Sequence, residues 1–192
     1  MPGNDKSNDG GHPAGSPKSG SGRVRGRRGD AKTIEFLNLA LKNELTSINQ
    51  YFLHSRMLAD WGISELAKVE YEESIDEMKH ADQLIQRILF LGGLPNLQDL
   101  GRLMIGENVG EIIASDLAME DKAYGDLQNA IAHAESVRDF GTRELYTKIL
   151  ESEEEHIDYL TTQQKLIATI GLADYIQIQT ESNKASALNA PG

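Results

Sequence analysis

Two Glu-x-x-His motifs, Glu77-Met78-Lys79-His80 and Glu153-Glu154-Glu155-His156, lie 76 residues apart, and a glutamate precedes each by 33 residues, at Glu44 and Glu120. The whole set therefore repeats, and the repeat constrains the fold more than any other feature of the chain. On a helix, residues three apart share a face, so each motif offers one oxygen and one nitrogen to a common point. The midpoint of 44 and 77 falls at the turn-forming Asp60-Trp61-Gly62, and that of 120 and 153 at Ser136-Val137. In two helical hairpins folded about these points, every ligand stands about 16 residues from its turn, roughly 25 Å along its helix. The ligands then lie level, whichever way the second hairpin points. Four carboxylates facing one core would repel each other and lose solvation at severe cost unless cations accompany them. Two divalent ions bring four positive charges against four negative ones. The pattern therefore predicts an all-α chain with a dinuclear site, and oxygen plus imidazole donors suit iron or manganese, with zinc a competitor.

Apolar periodicity supports this from Ala31 onward. A first helix is expected from about Ala31 to Asp60, with Leu37, Leu41, Ile48, Tyr51 and Leu58 on one face. A second should start at an N-cap Ser64 and run to Leu91, stopped by Gly92-Gly93 and Pro95. A third spans about Val109 to Glu135, a fourth Phe140 to Ile170, and "LADYIQIQT" forms a short fifth. Between the second and third lies "GGLPNLQDLGRLMIGEN", long for a structureless connection in a compact domain. Extended, it could cross a bundle about 45 Å long from end to end.

The body should occupy residues 31–181. Residues 1–30 are rich in Gly, Ser, Pro and Arg, a composition that cannot bury enough apolar surface to order itself, and 182–192 form a polar tail. No apolar stretch follows the early charges, so the leader is not read as a secretory signal. The first thirty residues hold six of the 19 basic and three of the 30 acidic residues, leaving 13 basic and 27 acidic in the remainder. Such a body attracts metal cations and repels nucleic acid; only "RVRGRR" in the leader offers weak phosphate binding. The absence of cysteine excludes disulfides, thiolate zinc sites and iron–sulfur clusters.

Met78 lies about 100° round the helix from Glu77, off the ligand face. It belongs to a second stripe, Tyr71, Ile75, Met78, Asp82, Ile85 and Leu89, matched on the first helix by Leu45, Ile48, Asn49 and Phe52. A helix with two such stripes buries one in its bundle and one against something else. From the residues alone Met78 fits a dimer interface, while its thioether is also a soft axial ligand for haem iron.

"NELTSINQYFLHSRMLADWG", "VEYEESIDEMKHADQLIQRILFLGGLPNLQDLG" and "ESEEEHIDYL" resemble bacterioferritin, over nearly all of Ala31 to Gln179. The resemblance implies a ferritin-like four-helix bundle with a long B–C crossover. It implies that Glu44 and His80 hold one iron, Glu120 and His156 the other, with Glu77 and Glu153 bridging. Met78 would be the axial ligand of a haem b shared by two subunits, with Ile48, Phe52, Tyr71 and Ile75 around the ring. The family further implies a cytoplasmic homo-oligomer, a 24-subunit shell built of dimers. It oxidises Fe(II) with dioxygen or hydrogen peroxide, stores ferric mineral, and is reduced through the haem by an associated ferredoxin. Many relatives have histidine where this chain has Glu72, a position linked to iron on the cavity side.

Tyr51, two turns from Glu44 on the same face, is an auxiliary electron donor or a core tyrosine. His54 and His133 have no partner at ligand spacing and read as surface or packing residues. The alternatives are a manganese or iron peroxidase or catalase on the same bundle, and a DNA-coating shell acting through the basic leader.

Overall fold

The computed structural model describes residues 29–180. The basic leader with "RVRGRR" and the tail after Ser182 lie outside the described residues. Five helices follow in order: α1 (Ala31–Asp60), α2 (Ser64–Phe90), α3 (Val109–Ser136), α4 (Phe140–Ile170) and α5 (Leu172–Thr180). Their bounds agree with the sequence expectations to within a residue, the ordinary fraying of helix ends.

Local chemistry accounts for the starts. The carboxylates of Asp30 and Asp139 and the amide oxygen of Asn108 accept from the backbone N–H three residues on, at 3.0, 3.1 and 3.0 Å, capping α1, α4 and α3. Ser64, expected to cap α2, is instead its first helical residue; Ile63 occupies the cap position with no side-chain hydrogen bond. The reason is the tight turn before it. Gly62, at φ 80°, lets the chain reverse within three residues and points the Ile63 side chain into the core instead of a polar cap.

α1–α2 and α3–α4 are the two antiparallel hairpins. His133 near the end of α3 meets Thr33 near the start of α1, and Asp116 near the start of α3 meets His54 near the end of α1, so these helices also run antiparallel. The apolar core is split. One cluster, around Leu37, Leu41, Leu84, Ile88, Tyr146 and Ile149, fills the end holding the α3–α4 turn. The other, around Leu58, Leu66, Ile112, Ile113, Leu160 and Tyr175, fills the opposite end. Tyr175 donates to Gln163 Oε1 at 3.0 Å and closes α5 over that end. Buried polar side chains occupy the gap between the two cores.

The long connection, residues 91–108, runs alongside α1 and is held by a polar side chain every four residues. Asn38 bonds Leu94 O and Asn96 N, Lys42 pairs with Asp99, Thr46 Oγ1 accepts from Gly101 N, Gln50 Oε1 from Met104 N, and His54 Nε2 from Gly106 N. Five residues in four steps of four carry the chain from one end of the bundle toward the other. A four-residue step advances about 40° beyond a full turn, so the stripe winds and the connection crosses α1 obliquely.

Candidate metal centre

The six ligands expected from the spacing converge in the gap. Oxygens or nitrogens of Glu44, Glu77, His80 and Glu153 lie within 4.8 Å of one another, as do those of Glu77, Glu120 and His156. Glu77 belongs to both groups. Each helix of the bundle contributes, because the 33-residue and 76-residue intervals bring the same turn of each helix to one level. All four glutamates are at most 3% exposed, so their charges have almost no water to solvate them.

The protein groups answer that burden with protons. Burial, then the neighbouring Glu77 charge, pushes Glu44 well above the ordinary carboxylate range. Burial and the charges of Glu77 and Glu120 do the same to Glu153. Glu77 goes the other way: burial opposes its charge, but hydrogen bonds with Glu44 and His80 hold it below its ordinary value. His80 Nδ1 sits 2.9 Å from Glu77 Oε2 and 3.6 Å from Glu44 Oε2. Burial works against its charge, yet these carboxylates push it up to about 10. His156 Nδ1, 3.5 Å from Glu120 Oε1, is raised likewise, against burial, chiefly by Glu120. Glu120 Oε2 and His156 Nε2 are buried without a hydrogen-bond partner. Such atoms are costly unless an acid or a cation completes them. Carboxylate oxygens and open imidazole nitrogens from four rigid helices form a donor set for two hard-to-borderline divalent ions.

Around this set, the Tyr51 hydroxyl donates to Glu120 Oε1 and lies 3.3 Å from His156 Nδ1, so Tyr51 is both a core residue and a neighbour of the ligands. Sequence reasoning missed Glu73, whose Oε2 is 3.8 Å from His156 Nδ1 and whose side chain is 28% exposed. Its position one turn before Glu77 was the available signal. Glu72 points away: it is exposed and pairs with Lys68 at 3.7 Å.

The second stripe lies on the outside of α1 and α2. Met78 is 52% exposed, Phe52 and Tyr71 are exposed beside each other with ring centroids 6.5 Å apart, and Ile48 and Ile75 are half-buried. Arg56 stands 5.0 Å over both rings. An exposed thioether in an apolar, aromatic-flanked face fits a flat apolar cofactor shared with a second copy.

Of the two readings the sequence left for His54, surface or packing, the structure supports packing. His54 is fully buried, with Nδ1 2.9 Å from Asp116 Oδ1, and is no surface residue. With Glu70 and Asp116 it forms another group whose ligand-type atoms lie within 4.8 Å of one another. His133 is half-buried, 3.2 Å from Thr33 Oγ1 and 3.1 Å from Asp30, which agrees with a packing role.

A family model described as a ferritin-like domain matches residues 34–170. The Bacterioferritin of Brucella melitensis biotype 1 is similar at 46% identity over 151 residues, covering 79% of this chain and 94% of that relative. The Bacterioferritin of Rhodobacter capsulatus is 46% identical over 144 residues, covering 75% and 89%. The Bacterioferritin BfrA of Mycobacterium tuberculosis is 45% identical over 144 residues, covering 75% and 91%.

Proposed function

Because the chain belongs to the bacterioferritin family, we propose that it stores iron by oxidising Fe(II) at the buried Glu44, Glu77, His80, Glu120, Glu153 and His156 cluster. What carries this reading is the cluster's donor set: four buried carboxylates and two imidazoles, with Glu120 Oε2 and His156 Nε2 lacking any protein partner. Fe(II) is the substrate. Glu44 with His80, and Glu120 with His156, each take one ion, while Glu77 and Glu153 lie between them. The carboxylates compensate the charge that grows as each iron yields one electron to dioxygen or hydrogen peroxide. The proton held on His80 must leave as iron enters, and part-exposed Glu73 offers it a way out. Tyr51, bonded to Glu120, is placed to donate a further electron.

The chain is one domain of a homo-oligomeric shell of 24 subunits built of dimers, cytoplasmic, with ferric mineral in its cavity. No helix among the described residues is long and apolar enough to cross a membrane. Met78 would hold a haem b between two subunits, with Ile48, Phe52, Tyr71 and Ile75 beside it. The haem, when bound, supplies electron transfer from a ferredoxin to the stored mineral. The protein's part is to present the thioether on a face that excludes water once two subunits meet.

The test is aerobic addition of Fe(II) to metal-free protein, followed by near-ultraviolet absorbance, beside a Glu77→Ala/Glu153→Ala double variant. A fast saturable phase, absent from the variant and followed by continued uptake into a large particle, is the expected result. A wild-type trace no faster than oxidation in free solution would remove the ferroxidase reading.

A further inference from the structure

The second buried cluster differs from the metal centre in one decisive respect: its histidine is already used up. His54 Nε2 accepts the Gly106 backbone N–H at 3.1 Å, so that nitrogen carries no proton. The ring proton therefore sits on Nδ1, which donates to Asp116 at 2.9–3.0 Å. Asp116 Oδ1 also accepts from Gln50 Nε2 at 2.8 Å. That bond turns the Gln50 carbonyl toward the connection, where it accepts from Met104 N. One carboxylate thus orients two α1 side chains as acceptors for the connection. No imidazole lone pair is left for a metal.

Glu70 is the piece left over. It is fully buried, and neither of its carboxylate oxygens meets a protein donor. A carboxylate oxygen of Glu70 comes within 4.8 Å of one of Asp116. Facing Glu70 are His54 from α1, Glu73 from its own helix, Asp116 from α3, Tyr159 from α4 and Tyr175 from α5. None of these is a lysine or arginine. Two neighbouring, dry carboxylates with no lysine or arginine beside them need one positive charge, and a shared proton is the one that fits without displacing a bond already made.

We propose that Glu70 and Asp116 form a proton-binding site, in which Glu70 remains a neutral acid donating to Asp116 and so clasps the long connection to the bundle through Gln50 and His54. Burial and then the Asp116 charge raise Glu70 well above the ordinary carboxylate range, in agreement with this state. As pH rises through the Glu70 titration, two charges face each other in a dry site. Asp116 then tilts or takes up water, and the Met104 and Gly106 bonds loosen. The connection carries an exposed apolar row, Leu94, Leu97, Leu100, Leu103 and Met104, so the clasp governs how that row is presented to neighbouring copies.

The experiment uses the full-length, metal-free protein and so does not depend on iron chemistry. Infrared difference spectra between wild type and Glu70→Gln at neutral pH are expected to show one protonated-carboxyl C=O band, present only in wild type. Hydrogen-exchange protection at Met104 and Gly106 should fall at least tenfold in wild type across the alkaline range and stay flat in the variant. Gln keeps an N–H donor for Asp116 and has no proton to lose. A difference spectrum lacking that band would overturn the proposal. So would stoichiometric binding of Mn(II) or Zn(II) that depends on Glu70, since the occupant would then be a metal. Should Gln at position 70 prevent folding, the wild-type protection profile decides: a pH-independent profile rejects the clasp.

Discussion

The molecule buries two polar clusters of similar composition, their members four residues apart on α3, seven on α2 and ten on α1, and completes them differently. The central set leaves Glu120 Oε2 and His156 Nε2 without partners, whereas Asp116 and His54 in the other set spend their atoms on Gln50, Gly106 and each other. A carboxylate–imidazole group held open by rigid helices is a binding site. One closed upon a backbone N–H is a structural clasp. Residue types alone do not separate the two; what separates them is whether the histidine's second nitrogen is free.

The largest expected effect tests that division directly. Glu77→Ala with Glu153→Ala should abolish the fast oxidation phase, a loss of at least a hundredfold in rate. In the metal-free fold the loss of Glu77 strands His80 while the loss of Glu153 relieves crowding, so the net change in stability should be small. Asp116→Ala should do the opposite. It strands the Gln50 amide and the His54 Nδ1–H in a dry site, costing roughly 2–5 kcal/mol in denaturant unfolding. Iron oxidation in the fraction that remains folded should survive. If both variants lose stability equally, the two clusters are one structural unit and the comparison fails.

Next in size is the pH dependence of metal binding. Glu44 and Glu153 are held well above the ordinary carboxylate range and His80 is pushed up to about 10, so their protons are held more tightly than they would be in water. A divalent ion must displace them. Mn(II) affinity should therefore climb as pH rises, by about tenfold per pH unit for each displaced proton. The stability of the metal-free chain should move the other way. A histidine whose folded pKa is raised contributes stability that is fully present below its ordinary value of 6.5 and is lost as pH rises through about 10. Raised carboxylates add to the decline, from about 4.5 upward. Calorimetric titration in two buffers of different ionisation enthalpy would count the protons, and a count of zero contradicts the protonated cluster.

The two clusters were unequally legible in the sequence, for a physical reason. Glu77 with His80 and Glu153 with His156 are each three apart on one helix, and Glu44 and Glu120 stand at equal intervals from them. Helix geometry therefore places them before any tertiary contact is known. His54, Glu70 and Asp116 come one each from three helices, with no local spacing to join them. The backbone group that fixes the His54 tautomer belongs to Gly106, in a segment with no periodicity to read. One signal was present all the same. Asn38, Lys42, Thr46, Gln50 and His54 recur every four residues along α1, and a polar stripe that approaches full burial needs a partner rich in backbone donors. The one long connection was the available partner. The Ser64 cap was misplaced because Gly62 reverses the chain one residue sooner than a polar cap requires.

A smaller effect is expected from Tyr51→Phe. It removes the donor to Glu120 but keeps the ring packed against His156, at 5.2 Å between centroids. Metal binding should change by less than tenfold, while oxidation slows or leaves more partly oxidised product. Stopped-flow absorbance with a fixed ratio of iron to protein would show the split, and unchanged oxidation kinetics would assign Tyr51 to packing alone.

The smallest effect separates the rungs of the clasp from one another. Thr46 Oγ1 accepts from Gly101 N at 2.8 Å and donates to the Lys42 carbonyl at 2.6 Å, without help from Asp116. Thr46→Val keeps the shape and removes both bonds. Gly101 is only half-buried, so water can replace its lost acceptor, and the cost should be about 0.5–1.5 kcal/mol. Hydrogen exchange should quicken at Gly101 and remain protected at Met104 and Gly106, whose acceptors are still set by Asp116. Exchange quickening along the whole connection would mean that the rungs are held cooperatively, and that Asp116 has no special hold on the lower two.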